Sequence, residues 1–418
     1  MVKMASKLTF GPVRTDIQEQ INITRMREER AARMKQIMKK EGIPAVLVTG
    51  DPNVRYLVGF SWAEFMPFIS YTVFFAEHDP VVFAHAGSYH QMPDQAPWIK
   101  HWRIGRSWLA NICGPEATKA EVGLFAKEIR EEVQKRGLVG EKLGIIGFDI
   151  PAREGLKAVG LNVVESWPLI LEASKIKTQD EINCFKMVAS LQSSGWQRLI
   201  DTCKIGMTVG TLRRLVTDAM SDAGAEIARC NVQSGPFSFE RSVTYLDRRI
   251  EYGDMLNVPV CGTRYMGYPC CGYRSFMVGR DPTAKEKGWY KRVKDTLDAA
   301  MDATRVGNTT ADAAKAFPAA STWGFKHEAE VLTIEIGHGL GMPVLSPCIM
   351  SYGMPVINRQ WSLQHPQPFE KGMIIAYESL EGEHRVNGAR LEDMVVITDD
   401  GAEMMDHFPR DEIIVVGT

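Results

Sequence analysis

GDMLNVPVCGTRYMGYPCCGYRSF, residues 253–276, has the pattern of two short strands joined by tight turns. A Gly-Asp pair opens the segment, an apolar run follows, and a second Gly-containing turn lies at 267–268. Glycine and aspartate are typical of turns, and short apolar runs between turns are typical of buried strands. The segment therefore predicts a β-hairpin, with Cys271 and Arg274 in its second strand.

The bulk composition limits the classes of protein to which the chain can belong. A length of 418 residues exceeds what one hydrophobic core usually holds, so we expect two domains. A net charge of −2 gives no electrostatic reason to expect nucleic acid or an anionic membrane as a partner. No apolar run has the length of a membrane span or of a signal-peptide core. The 8 scattered cysteines lack framework spacing, which predicts free thiols and a cytoplasmic location.

The order of strand and helix patterns predicts a different fold for each part of the chain. Residues 1–172 alternate apolar strands with amphipathic helices, which is typical of a smaller α/β domain. Residues 173–418 begin with helices, the first opened by a capping box at Thr178 and Glu181, and then become rich in strands. This second part is predicted to be an α+β domain built around a curved sheet.

Three short motifs in the second part carry side chains that could perform chemistry. His338 lies between glycines in the segment 337–341, which would leave its imidazole unobstructed. Glu378 ends an apolar strand, where a buried carboxylate requires water, a base or a metal ion as its partner. Arg390 and Glu392 project from one face of the next strand by the period-2 alternation of strands, and a simple ion pair would also explain them.

Taken in order, the motifs resemble the creatinase/aminopeptidase P/prolidase family, whose catalytic domain has the pita-bread fold. The resembling segments are KEGIPAVLVTGDPNVRYLVGF (40–60), SKIKTQDEINCFKMVA (174–189), VQSGPFSFER (232–241), the hairpin, GHGLG (337–341), FEKGMIIAYE (369–378) and RLEDMVVITDDGAE (390–403). The resemblance implies that His338, Glu378 and Glu392 occupy metal-ligand positions of the family. The two aspartates that complete those ligands match Pro259 or Val260, and Cys271.

The missing aspartates decide the function that we predict from the sequence. A dinuclear site needs several carboxylates to bridge and neutralise two cations. Creatinases of the same family cleave a C–N bond without metal, and we therefore expect a creatinase-like hydrolase with no cofactor. His338, Glu378 and Glu392 would be its catalytic residues, acting by proton transfer. The substrate would be a small ureido, guanidino, amidine or cyclic amidine compound.

Several alternatives stay open at this point. Cys271, His338, Glu378 and Glu392 could instead bind one zinc ion, because a thiolate, an imidazole and two carboxylates suit zinc. Cys270 or Cys271 could act as a nucleophile beside His338. An Xaa-Pro type metallopeptidase or lyase of the same fold is a further alternative. The last is a non-catalytic binding module, since some pita-bread domains have lost their metal ligands.

Residues near the motifs could contact a small-molecule substrate. Aromatic rings could enclose a planar or cationic group, and arginines could bind a carboxylate. The resemblance also implies a homodimer in which the N-terminal domain of the partner caps the site, beginning near Trp62. The candidate substrate-binding residues are Phe237, Arg241, Tyr265, Tyr273, Arg274 and Trp62.

Overall fold

The computed structural model describes residues 21–61, 68–87, 89–240, 244–331, 336–343 and 352–417. The chain divides into two compact units, one built from Ile23–Ser174 and the other mainly from the residues beyond it. The division at residue 172 into two domains of separate function stays a prediction. Within the described ranges, no helix combines the length and the hydropathy that a membrane crossing requires.

The first unit is a six-stranded α/β layer, as predicted. Its sheet has the order β4-β3-β2-β1-β5-β6, in which β1 pairs antiparallel with β2 and parallel with β5. The central strands are fully buried and hydrophobic because helices pack over them. The elements are α1 (Ile23–Lys40), β1 (Ala45–Thr49), α2 (Asp51–Val58), β2 (Tyr71–Phe75), β3 (Val81–Ala84), α3 (Met92–Gln95), β4 (His101–Ile104), α4 (Pro115–Gln134), β5 (Lys142–Ile146), α5 (Ile150–Ala158), β6 (Asn162–Glu165) and α6 (Trp167–Lys175).

The second unit begins with two helices and continues mainly with strands. The predicted capping box is confirmed, because the Thr178 side chain accepts from Glu181 N and the Glu181 side chain accepts from Thr178 N. The elements are α7 (Gln179–Thr202), α8 (Val209–Asp222), β7 (Gln233–Ser234), β8 (Met255–Pro259), β9 (Arg264–Tyr265), β10 (Tyr268–Pro269), β11 (Tyr273–Val278), α9 (Ala284–Asp302), α10 (Thr310–Ala314), β12 (Ile336–Leu340), β13 (Tyr352–Ile357), α11 (Arg359–Ser362), β14 (Ile374–Glu383), β15 (Asn387–Ile397), β16 (Ala402–Met404) and β17 (Ile414–Val416).

One sheet organises the second unit and brings its motifs together. Among the described residues it has nine strands, in the order β13-β12-β14-β15-β11-β8-β7, with β16 beside β15 and β17 beside β11. Helix α9 packs its apolar side on β14 and β15, and these three elements share one hydrophobic core. The predicted α+β class is confirmed. Because β12, β14, β15 and β11 are consecutive in the sheet, motifs far apart in the chain lie on neighbouring strands.

Candidate metal centre

The two glycines around His338 allow close packing in a strand. Residues Ile336–Leu340 form β12 between β13 and β14, so the imidazole that we expected to be unobstructed lies within the sheet. A Cβ atom on Gly337 would lie 2.5 Å from the ring of Tyr377, and one on Gly339 would lie 2.1 Å from the carbonyl oxygen of Met354. Both separations are far below van der Waals contact, so only glycine fits on either side of the histidine.

The His338 imidazole is fully buried and has a defined orientation. Its Nδ1 atom lies 3.0 Å from the carbonyl oxygen of Gly339, and its ring packs on Tyr352 with the ring centroids 3.9 Å apart. Because a carbonyl oxygen only accepts, Nδ1 carries the proton, and Nε2 has a free lone pair. Nε2 forms no hydrogen bond and lies 3.4 Å from Oε1 of Glu392, which also has none.

The hairpin places a second cysteine opposite Cys271. Tyr273 pairs with Pro259 in the β8–β11 register, and two backbone bonds, from Val260 N to Gly272 O and from Gly262 N to Cys270 O, continue that pairing. Cys261 therefore lies opposite Cys271. The donor atoms of Cys261, Cys271 and Glu392 all lie within 4.8 Å of one another, and the Cys261 thiol donates to Oε2 of Glu392 at 3.4 Å.

Cys261 was missed by the sequence analysis. The motif comparison matched the first aspartate to Pro259 or Val260, residues that lack a ligand atom. Hairpin pairing was the signal that could have found Cys261, since the register that pairs Tyr273 with Pro259 also pairs Cys271 with Cys261. Cys270, in contrast, directs its thiol to the carbonyl oxygen of Val260 at 3.3 Å and is not part of the cluster.

Glu378 lies beside Glu392 but has a different partner. The two glutamates are directly opposite in the β14–β15 register, and Glu378 forms a buried ion pair with Nη2 of Arg390. The guanidinium of Arg390 lies over the ring of Tyr273, 3.8 Å from its centroid, and its Nε and Nη1 atoms form no hydrogen bond. His338, Glu378 and Glu392 thus share one buried region of the sheet, where Arg390 pairs with Glu378.

Burial controls the ionisation of this region. Burial, and then the Cys261 thiol and the two glutamates, raise the pKa of Cys271 well above its ordinary value. Burial likewise raises the pKa of Cys261, and the negative charge of Glu392 adds to the effect. Burial alone would lower the pKa of Arg390, but the charge of Glu378 outweighs it and raises that pKa. Arg390 is therefore a permanent cation beside two thiols that stay protonated when no cation binds them.

Of the residues predicted to bind substrate, Tyr273 lies in this region and Arg274 lies on the opposite face of the strand. Nη1 of Arg274 donates to the carbonyl oxygen of Glu392 at 3.0 Å and not to its carboxylate. The Arg274 guanidinium instead forms ion pairs with Asp393 at 3.0 Å and Asp406 at 2.9 Å. Its guanidinium is engaged by these two carboxylates on the face of the strand away from Glu392, so it is not available to a substrate at the cluster.

No contact with the cluster is recorded for the two other predicted substrate-binding residues that the structure describes, Phe237 and Tyr265. Phe237 packs on Tyr245 with the ring centroids 4.4 Å apart, and Tyr265 lies in the short strand β9 at the far end of the hairpin. Arg241 and Trp62 lie outside the residues that the structure describes. The roles predicted for these four residues stay predictions.

The sequence and the structure were compared with known proteins. A model of "Metallopeptidase family M24" matches residues 183–399, and one of the "Creatinase/Prolidase N-terminal domain" matches residues 30–150. The "Probable dipeptidase PepE" of Mycobacterium tuberculosis is 24% identical over 310 residues, which cover 72% of this chain and 79% of that protein. The "Xaa-Pro dipeptidase" of Pyrococcus horikoshii is 23% identical over 410 residues, covering 92% of this chain and 99% of that protein.

A solved structure supports the fold assignment. The recombinant prolidase from Thermococcus sibiricus superimposes with a TM-score of 0.74 at 22% identity, covering 93% of this chain and 99% of that one. The predicted pita-bread fold with a creatinase-type N-terminal domain is therefore confirmed.

The comparisons correct the function that we predicted from the sequence. The matching family is one of metallopeptidases, and the similar proteins named above are dipeptidases. The prediction of a metal-independent, creatinase-like C–N hydrolase with no cofactor is wrong. That prediction assumed that the hairpin no longer offers metal ligands, whereas the structure places Cys261 opposite Cys271 and beside Glu392.

Proposed function

Because the chain belongs to Metallopeptidase family M24, we propose that it is a metal-dependent hydrolase of the peptide bond in dipeptides, including Xaa-Pro dipeptides. Two relatives, each covered over most of its length, support this substrate class by their names. One observation in the structure carries the proposal. Nε2 of His338 and Oε1 of Glu392 are buried, form no hydrogen bond and lie 3.4 Å apart, an arrangement that a bound cation would satisfy.

The residues present fit one cation better than two. A pair of divalent cations requires bridging carboxylates, but Glu378 is paired with Arg390, and the hairpin supplies thiols instead of carboxylates. A single cation needs three or four donors in a buried cluster, and His338 and Glu392 would hold it together with groups of the hairpin. When bound, it would supply Lewis acidity toward a carbonyl group and a water molecule.

The remaining side chains are arranged to bind substrate and move protons. Nε and Nη1 of Arg390 are N–H donors without a hydrogen-bond acceptor, so they could stabilise negative charge on the reacting carbonyl oxygen. Glu378, the ion-pair partner of Arg390, could accept a proton from water and return it to the leaving nitrogen. The phenol of Tyr273 stays protonated, because burial raises its pKa well above the ordinary value, and could donate a hydrogen bond.

A chelation experiment tests the proposed function. Purified protein is assayed with Xaa-Pro dipeptides and with dipeptides that lack proline, before chelation, after exhaustive chelation and after metal is returned. We expect hydrolysis that disappears on chelation and recovers with metal. Activity that survives chelation, or no hydrolysis of any dipeptide by metal-loaded protein, would overturn the proposal.

A matched pair of histidine variants connects the activity to the cluster. His338→Ala should lower kcat/KM by at least about 100-fold, because it removes a donor of the cation. His384→Ala is the control, since that side chain is 65% exposed at the turn between β14 and β15. We expect the control to retain activity within about twofold, as surface substitutions usually change little.

We also propose a homodimer in which the N-terminal domain of one chain caps the site of the other, working in the cytoplasm. The resemblance to creatinase-like dimers supports the first part, and the 7 free cysteines among the described residues support a reducing compartment. Light scattering should give twice the chain mass of 46.8 kDa. Trp62→Ala should raise KM without changing that mass, whereas a monomer that is fully active would contradict this arrangement.

A further inference from the structure

We propose that the centre binds a single thiophilic cation, zinc, through both thiols of the hairpin, and that Arg390 replaces a second cation. This inference rests on the proposed metal dependence and states which metal, how many ions and which ligands. The ligand atoms are Sγ of Cys261, Sγ of Cys271, Nε2 of His338 and one carboxylate oxygen of Glu392.

The geometry of the donors supports a common cation. The donor atoms of the two cysteines and Glu392 lie within 4.8 Å of one another, and Nε2 of His338 is 3.4 Å from the same carboxylate. His338 lies outside that group of three and would join it as the fourth ligand through its contact with Glu392, with the donors closing to the bonds of about 2.0–2.3 Å that a tetrahedral zinc ion requires. His338 and Glu392 come from β12 and β15, and the two cysteines come from segments between the hairpin strands that backbone hydrogen bonds on either side hold together.

The His338 ring has the orientation of a metal ligand. Metal-bound histidines commonly donate their other ring N–H to a carboxylate or a backbone carbonyl, which fixes the tautomer. Here Nδ1 donates to the carbonyl oxygen of Gly339 at 3.0 Å, and Nε2 faces Glu392 and forms no hydrogen bond. A histidine serving only to fill the core would instead be expected to have both ring nitrogens satisfied.

The chemistry of the donors selects the metal. Thiolates are soft ligands that favour zinc, whereas carboxylate-rich sites suit manganese, magnesium and calcium. Two cysteines in the hairpin, together with one imidazole and one carboxylate, make the set typical of zinc. Four protein ligands fill a tetrahedral shell, so water or a substrate carbonyl would bind the ion as a fifth ligand or by displacing one of the four, from the side of the partly exposed Cys261.

Arg390 explains why one ion is sufficient. Its guanidinium is buried, forms an ion pair with Glu378 and lies 3.8 Å from the Tyr273 ring centroid. The positive charge that a second metal would bring to Glu378 is therefore already present as a side chain. A second cation in contact with Glu378 would have to lie against this guanidinium, and like charges in a buried site repel strongly.

Cobalt substitution tests this inference without using activity. Metal-free protein is titrated with Co²⁺, the ratio of bound metal to protein is measured by elemental analysis, and the thiolate-to-cobalt absorption in the near ultraviolet is recorded. We expect one ion per chain with a thiolate band. Cys261→Ser and Cys271→Ser should each remove about half of that band and weaken zinc binding by more than the roughly 10–100-fold that loss of an outer partner costs.

Cys270→Ser is the matched control, because this cysteine is buried beside Cys271 and directs its thiol to Val260 O. It should keep the full band and the zinc affinity of the unaltered protein. Two ions per chain, cobalt bound without a thiolate band, or a loss in Cys270→Ser equal to that in Cys271→Ser would overturn the inference. The measurement on the unaltered protein decides the matter even if a serine variant fails to fold.

The outcomes separate this inference from the proposed function. A chain that binds one thiolate-ligated ion but hydrolyses no dipeptide would refute the function and leave the ligand assignment standing. A metal-dependent dipeptidase with two ions bound by oxygen ligands would refute the ligand assignment and support the proposed function.

Discussion

The two faces of β15 contain two buried charged clusters with opposite properties. On one face Asp393 and Asp406 lie between Arg274 and Arg410, with ion-pair distances of 2.8–3.0 Å. On the other face there are two glutamates, Glu378 and Glu392, and Arg390 forms its ion pair with Glu378. The first cluster is balanced in charge, whereas the second lacks a fixed positive partner for Glu392.

This difference separates a cluster whose buried charges are paired by side chains from the cluster that we propose as the metal centre. Buried ions that are paired by side chains are complete without any ligand, and removing one partner leaves an uncompensated charge. Glu392, in contrast, has no arginine or lysine as partner among the described residues: its Oε2 accepts from Cys261, and its Oε1 lies 3.4 Å from Nε2 of His338. Adjacent residues of one strand therefore have different electrostatic surroundings, since Asp393 lies between two arginines and Glu392 lies beside His338.

The largest effect should come from breaking the balanced cluster. Asp393→Asn removes the charge between Arg274 and Arg410, and we expect the free energy of unfolding of the metal-free protein to fall by about 3 kcal/mol. Urea denaturation measures it. Arg214→Met is the control, because Arg214 is 62% exposed and its ion pair with Asp218 should contribute less than about 1 kcal/mol. Equal losses in the two variants would remove the distinction between the clusters.

Zinc should stabilise the other face by supplying its missing positive charge. At a free zinc concentration 100 times the Kd, the free energy of unfolding of the unaltered protein should rise by about 2.7 kcal/mol. Thermal unfolding with and without zinc measures the shift, and Cys270→Ser should show the same increase. A midpoint that does not move with zinc would mean that the unsatisfied donors are not a cation site.

A paired carboxylate in the first turn of α9, which accepts from the first residue of β15, should show the pH dependence expected of a structural acid. Burial alone would raise the pKa of Glu286, but hydrogen bonds from Arg280, Thr283 and Asn387 lower it to about 2. A lowered pKa in the folded state stabilises the fold above the ordinary value of 4.5, and that stability is lost as pH falls from 4.5 toward 2.

The effect should be about 1–2 kcal/mol, because Arg280 is 25% exposed and solvent screens the pair. The difference in unfolding free energy between the unaltered protein and Glu286→Gln, measured from pH 6 to pH 3, isolates this contribution. A difference that stays constant over that range would contradict the assignment.

The smallest effect should come from the residue beside Asp393. Glu392→Gln removes a buried carboxylate that has no arginine or lysine partner among the described residues. The free energy of unfolding of the metal-free protein should therefore change by less than about 1 kcal/mol in either direction. The same variant should lose its stabilisation by zinc. A loss as large as that of Asp393→Asn would show that Glu392 is a structural ion.

Much of the fold follows from local patterns in the sequence. The hairpin predicted over 253–276 is present as the antiparallel pair β8 and β11, and the predicted capping box opens α7 at Thr178. Period-2 alternation also placed Arg390 and Glu392 on one face of their strand. These features depend on residues that are close in sequence, where turn residues and apolar periodicity are sufficient.

The partners of the charged groups could not be predicted in this way. Arg390 pairs with Glu378 and not with Glu392, and Arg274 faces Asp393 and Asp406 and not the site. Which strands become neighbours decides these contacts, and β14 joins β12 to β15 across long stretches of chain. The choice of one acid over another is set by distances of a few ångströms that no spacing in the sequence encodes.

By itself, the sequence determined the two-part architecture and the strand-rich second part, because alternation and motif order are carried by the chain, and its family resemblance implied that His338, Glu378 and Glu392 belong to one site. The tertiary structure alone decided that Cys261 lies opposite Cys271 beside Glu392 and that Glu378 is paired with Arg390. The reason is physical: hairpin register and sheet order bring together side chains whose charges and lone pairs interact only at contact distance.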